Sequence, residues 1–207
     1  MEEDLCLPQV FDRYHRELVD LTQRFGIELA APVGVFLFAA PGALHKVCRT
    51  DFGGFALTWS NAIIIAAGTD TQEVIRHEFT HLFSAKWNPL APPLLSEGLS
   101  VWMQGTTGGH SIESAATAAI HDTSLTLDRL LTSPGLFRER GSRRYTCYLL
   151  AGSFTGFLIR HVGWERYRRF YCEVGAGDFR AAFKKCLGLS LEIAETRWRR
   201  QAAVRDT

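Results

Sequence analysis

An α+β fold is predicted from the order of two patterns along the chain. Short apolar, β-branched segments bounded by Gly, Pro and Asn fill residues 32–66, and helical periodicity takes over after Gly68. Strands first and helices afterwards is the segregation that defines this class. The 207 residues, 46% hydrophobic and 22% charged, suit one domain with two lobes, 1–86 and 87–207.

Val10, Tyr14, Leu18, Leu21 and Phe25 recur at spacings of three and four, so an amphipathic helix is expected from near Pro8 to Gly26. The Val- and Phe-rich run from Pro32 to Ala40 reads as a buried strand closed by Pro41-Gly42. Leu44 to Asp51 fits neither pattern. Gly53-Gly54 introduces a strand over Phe55–Ser60, and a tight turn at Ser60-Asn61 leads into a second around Ile63-Ile64-Ile65. Asp70 or Thr71 is placed to cap the next helix, with Glu73 completing a capping box, and that helix runs to about Ala85. Asn88-Pro89 and Pro92-Pro93 form a rigid link to a helix over Leu94–Gln104, halted by Gly105 and Gly108-Gly109. Further helices are expected at Ile112–Ile120, Leu127–Leu131, Arg143–Val162, Trp164–Val174, Phe179–Cys186 and Leu191–Val204.

A net charge of +1 gives no bulk field for nucleic acid or a membrane surface, so neither partner is expected. The arginines at 138, 140, 143 and 144, and at 166, 168 and 169, read as solvated faces. The apolar runs Ala30–Ala40 and Ala62–Ala67 are too short to span a bilayer. An acidic N-terminus without an apolar h-region leads to the expectation of a cytoplasmic protein. Cys6, Cys48, Cys147, Cys172 and Cys186 are odd in number and form no C-x-x-C pair, so buried reduced thiols are expected. The five tryptophans, at 59, 87, 102, 164 and 198, read as packing anchors.

Chemistry enters at His77-Glu78-Phe79-Thr80-His81, an H-E-x-x-H pattern inside a helical segment. Four residues advance a helix by about 6 Å and return to the same face, so the two imidazoles can grip one Zn²⁺. Glu78, on a neighbouring part of that face, is placed to take a proton from a zinc-bound water. An open catalytic zinc needs a third protein ligand. Glu97 is the best placed, opening a helix after the proline link, with Gly98 and Ser100 small enough to let that helix approach the motif helix. His110 is the runner-up, and Glu113, His121, Asp122 and His161 are further candidates.

Glu97-Gly98 downstream of H-E-x-x-H resembles the gluzincin zinc metallopeptidases, the thermolysin- and aminopeptidase-like group with small peptidase-MA-like domains. Tyr148-Leu149-Leu150-Ala151-Gly152-Ser153-Phe154, with Leu158 and Gly163, is similar to that group's Y-x-x-A-G-S-F helix. Gly188-Leu189-Ser190-Leu191-Glu192 before Trp198 is similar to its closing helix. The resemblance covers residues 10–200 loosely, and 70–104 and 145–164 more specifically. It implies a zincin-like fold, one zinc held by His77, His81 and Glu97, and Glu78 as general base. It implies peptide-bond hydrolysis, with a peptide or protein substrate pairing along Gly54, Phe55 and Ala56. Tyr148 is the catalytic tyrosine the resemblance suggests for the oxyanion, with Tyr145 as the other choice. The G-x-M-E-N anchor of aminopeptidases is absent, and only fifteen residues separate His81 from Glu97. That favours an endopeptidase or a specialised processing enzyme. The alternative is a catalytically silent peptide-binding or scaffold domain that keeps the fold.

Overall fold

The structure, a computed structural model, describes residues 7–69, 71–121, 124–175 and 178–204. Among the described residues helix accounts for 66% and strand for 9%, mostly helix with a small mixed sheet, α+β in the broad sense. It forms two compact units, Met1–Phe83 and Ser84–Thr207. The division falls inside one continuous helix, four residues before its end.

The first unit begins with α1 (Leu7–Phe25), whose last turn carries Arg24 and whose C-terminus meets Gly26 at φ 63°. Three strands follow: β1 (Gly34–Phe38), β2 (Gly54–Leu57) and β3 (Ala62–Ala66). Their order is β1-β3-β2, with β1 parallel and β2 antiparallel to β3. The central strand is the most apolar, and Ile63 and Ile65 are fully buried on it. The expectation of a buried first strand is corrected. β1 is an edge strand, with Val35 38% and Phe36 57% exposed. An apolar run of five reads alike for a central strand and for an edge strand, because its composition does not say which face is covered.

The undecided stretch after β1 is helix α2 (Pro41–Cys48), with Pro41 in its first turn and Arg49 closing it at φ 55°. Pro belongs at that position, where the missing N–H costs nothing. The hairpin between β2 and β3 turns over Thr58–Asn61, with Ser60 N donating to Leu57 O at 3.1 Å and Asn61 at φ 53°. Then comes α3 (Gln72–Trp87), two residues longer than expected. Thr71 is its cap, since Oγ1 accepts from Val74 N at 3.3 Å. Asp70, the other candidate cap, lies outside the described residues.

The second unit opens with α4 (Pro93–Gln104) and a ribbon of β4 (Thr106–Thr107) and β5 (His110–Ser111), which no sequence pattern foretold. Helices α5 (Ile112–Ile120), α6 (Leu127–Thr132), α7 (Ser142–Val162), α8 (Trp164–Glu173), α9 (Phe179–Leu187) and α10 (Leu191–Val204) fall within one residue of the expected bounds, with a 3-10 turn at Pro134–Arg138 between α6 and α7. α7 is buried on nearly all sides from Cys147 to Ile159 and packs against α4, α5, α8 and α10. Such a helix is a core helix and needs no polar face. The closing segment is tied to it by a bond from Trp198 Nε1 to Ser153 Oγ at 3.1 Å. The link before α4 is tied down as well: Asn88 Nδ2 donates to Tyr171 O at 3.1 Å and to Val174 O.

Cys147 and Cys186 are buried as expected, while Cys172 is exposed. Trp87 and Trp198 are buried packing residues, but Trp59 is 82% exposed at the β2–β3 turn. Among the described residues no helix is long and apolar enough to cross a membrane.

Candidate metal centre

The rotation of α3 about its axis is set by packing. Ile75, Phe79, Leu82 and Phe83 are buried to within 1% of complete, and α1 supplies Tyr14 edge-on to Phe79 and Phe25 against Phe83 at 5.4 Å. Arg76, at the residue before the motif, is held by Glu17 at 2.7 Å and Asp20 at 2.6 Å, with Gln72 also donating to Glu17. Burial opposes the Arg76 charge, but bonds from Asp20 and Glu17 outweigh it and hold the guanidinium pKa above its ordinary value. These constraints leave His77 and His81 half-buried on another side of the helix.

The two imidazoles converge. Their Nε2 atoms stand 3.2 Å apart, with ring centroids 4.9 Å apart and planes at 72°. Two nitrogens bound at about 2.0–2.1 Å in a tetrahedral zinc site stand about 3.3 Å from each other, so this spacing fits one shared ion. Glu97, the expected third ligand, lies on α4 in the second unit. Two imidazoles and one carboxylate suit Zn²⁺, and the donor set alone also admits other borderline divalent metals.

Glu78 is 7% exposed, and β2 passes directly over it. A Cβ built on Gly54 would sit 3.5 Å from Glu78 Cγ and 3.0 Å from Ile64 O, so the strand lies against the glutamate with no side chain between. Ala66 N donates to Gly53 O at 2.9 Å, which makes 53/66 a hydrogen-bonded pair. The register then turns the N–H and C=O of Phe55 toward β3 and those of Gly54 and Ala56 away from it. Of the three residues expected to bind substrate, Gly54 and Ala56 therefore turn their backbone groups away from β3 and Phe55 does not; Gly54 is buried and Ala56 half-buried.

Glu97 sits in the second turn of α4, five residues after the cap at Pro92. The space beside it is filled from α7. A Cβ on Gly98 would meet Thr155 Oγ1 at 2.6 Å and Ala151 O at 2.8 Å. Gly98 thus allows α4 to reach α7. Gly152 and Gly156 answer from α7, where Cβ atoms would strike Val101 at 2.4 Å and Trp102 at 2.8 Å. Tyr171 of α8 lies in the same region. Its burial pushes the phenol pKa far up, a bond with Ser84 pulls it back, and the nearby Glu97 carboxylate adds to the rise. Tyr171 therefore stays neutral. Within the apolar stripe of α8 it reads in sequence as a core residue, and only the folded chain shows its charged neighbour.

The other candidate ligands are placed elsewhere in the second unit. Glu113 is engaged by Arg160 at 2.6 Å, His161 stacks on Phe157, His121 closes α5, and His110 is exposed in β5. Asp122 lies outside the described residues. Tyr148 is half-buried with its ring 5.7 Å from Phe137, and Tyr145 is 50% exposed with its hydroxyl 3.3 Å from Thr107 Oγ1.

Comparison with family models, curated proteins and solved structures gives no match for this chain.

Proposed function

We propose that the protein is a zinc-dependent peptidase of gluzincin type, with a zincin-like fold and peptide-bond hydrolysis as its reaction. The observation that carries the proposal is the convergence of His77 Nε2 and His81 Nε2 to 3.2 Å on an H-E-x-x-H helix that also carries the buried Glu78, and Glu97 is the third ligand we propose. Zinc, when bound, supplies Lewis acidity and draws the pKa of a coordinated water down toward about 7.

The chain's own residues supply the rest. Glu78 accepts a proton as water adds to the scissile carbonyl, and returns it to the amine nitrogen as the C–N bond breaks. Its burial to 7% keeps bulk water from competing for that proton. Ala56, whose N–H and C=O turn away from β3, holds the substrate backbone in extended form along the outer edge of β2, and Gly54 brings that strand against Glu78. Tyr148 or Tyr145 serves the oxyanion.

The test is chelator-sensitive cleavage of an unstructured peptide library by wild-type protein, with Glu78→Gln as the control. Cleavage that disappears with chelator and returns with Zn²⁺, and that Glu78→Gln lacks, is expected. Cleavage retained in Glu78→Gln contradicts the proton-transfer role.

A further inference from the structure

Trp59 is 82% exposed, although a tryptophan ordinarily supplies packing area. Its turn is rigid. Ser60 N closes it on Leu57 O, and Asn61 anchors it through Nδ2 to Ala31 O at 2.9 Å and Pro32 O at 3.2 Å. Gly34 N bonds back to Asn61 O at 3.1 Å, so the turn is stitched to the start of β1 as well. The indole is thus exposed on a fixed mount. That mount is the far end of β2, whose near end lies on Glu78 and whose outer edge carries the backbone groups of half-buried Ala56, turned away from β3.

We infer that Trp59 is a specificity-determining contact for an extended peptide seated on β2, and that the preferred substrate carries a large apolar side chain at the matching position. A strand rises about 3.4 Å per residue, so β2 runs about 10 Å from Gly54 to Leu57 and the turn carrying Trp59 lies just past that end, about four residues of extended peptide from the scissile bond. Strand addition gives affinity through the main chain and is indifferent to sequence, and a side-chain contact at a fixed offset adds selectivity. Tryptophan is the residue that most often carries such a contact, because its large ring costs little conformational entropy to immobilise. The inference rests on the peptidase reading, and it predicts where along the substrate the enzyme reads.

The probe is a set of fluorescein-labelled, unstructured host peptides of Gly, Ser, Ala and Lys with a single Phe moved one position at a time. Each is measured twice: cleavage by zinc-loaded wild type, and binding by fluorescence polarisation to Glu78→Gln, which leaves peptides intact. One position, about four residues from the cleaved bond, should bind about ten-fold tighter than the all-polar host and show the gain in KM rather than kcat. Trp59→Ala should erase that gain and leave the affinity of the host unchanged, and Trp59→Phe should restore most of it. A gain that survives in Trp59→Ala, or that is equal at every position, overturns the inference while cleavage by wild type leaves the peptidase reading standing. A wild type that neither cleaves nor binds any peptide overturns both.

Discussion

Replacing Gly98 by alanine should destabilise the protein, although alanine is the better helix former. Gly98 lies inside α4, where an exposed Gly→Ala change would be worth up to about 1 kcal/mol in favour of the variant. The added methyl would lie 2.6 Å from Thr155 Oγ1 and 2.8 Å from Ala151 O. Thr155 is fully buried and Ala151 O is backbone, so neither gives way as a flexible side chain would. With both contacts under 3.0 Å and neither able to yield, overpacking costs about 2–3 kcal/mol, the upper part of its range, which leaves a net loss of about 1–2 kcal/mol. For a chain of this size that lowers Tm by about 2–8 °C. Gly42 provides the contrast. It also lies in a helix, but a Cβ there meets nothing within 4 Å, so Gly42→Ala should be neutral or stabilising by up to about 1 kcal/mol. Urea unfolding and calorimetry on both variants measure the difference. A Gly98→Ala protein as stable as wild type, or more so, would refute the close α4–α7 approach.

Two other predictions concern the framework. Glu17→Ala removes one carboxylate from a guanidinium that is only 19% exposed, and should cost about 3 kcal/mol, the lower end of the range for breaking a buried pair because Asp20 still holds Arg76. Urea denaturation reads this, and a loss under half a kcal/mol, roughly the size of an exposed pair, would show the network to be solvated. Cys147 is fully buried and desolvation pushes its thiol up to about 11, so at pH 8 a smaller fraction is thiolate than at an ordinary cysteine. Iodoacetamide at pH 8 should therefore modify exposed Cys172 well before Cys147 in the folded protein, and mass spectrometry of tryptic peptides reads the order.

Much of the helical unit is legible in the sequence because its punctuation is chemical. Gly163 at φ 81° and Gly188 at φ 79° end α7 and α9 where glycine alone adopts that backbone easily, and Asp178 and Ser111 cap the helices they precede. The ligand helix is legible for the same reason, since Thr71 caps it and its apolar stripe is regular. What stays hidden depends on contacts far apart in the chain. The partner of Gly98 is more than fifty residues away on α7, so its role as a close-approach residue between these two helices has no local signal. The exposure of Val35 and Phe36 follows from β1 being at the sheet edge, a matter of topology. The β4–β5 ribbon pairs two residues with two, too short for any periodicity. Trp59 shows the same limit in a single residue. Its type suggests packing, and its position on the turn decides otherwise.

The central claim is that His77, His81 and Glu97 hold one metal ion. Zinc content after dialysis, measured by inductively coupled plasma mass spectrometry on wild type, His77→Ala, His81→Ala, Glu97→Ala and Glu78→Gln, tests it most directly. The account predicts about one zinc per chain in wild type and in Glu78→Gln, and a loss of affinity of at least about ten-fold in each of the three ligand variants with their circular dichroism unchanged. Wild-type protein that binds no zinc, or ligand variants that bind it as tightly as wild type, would contradict it.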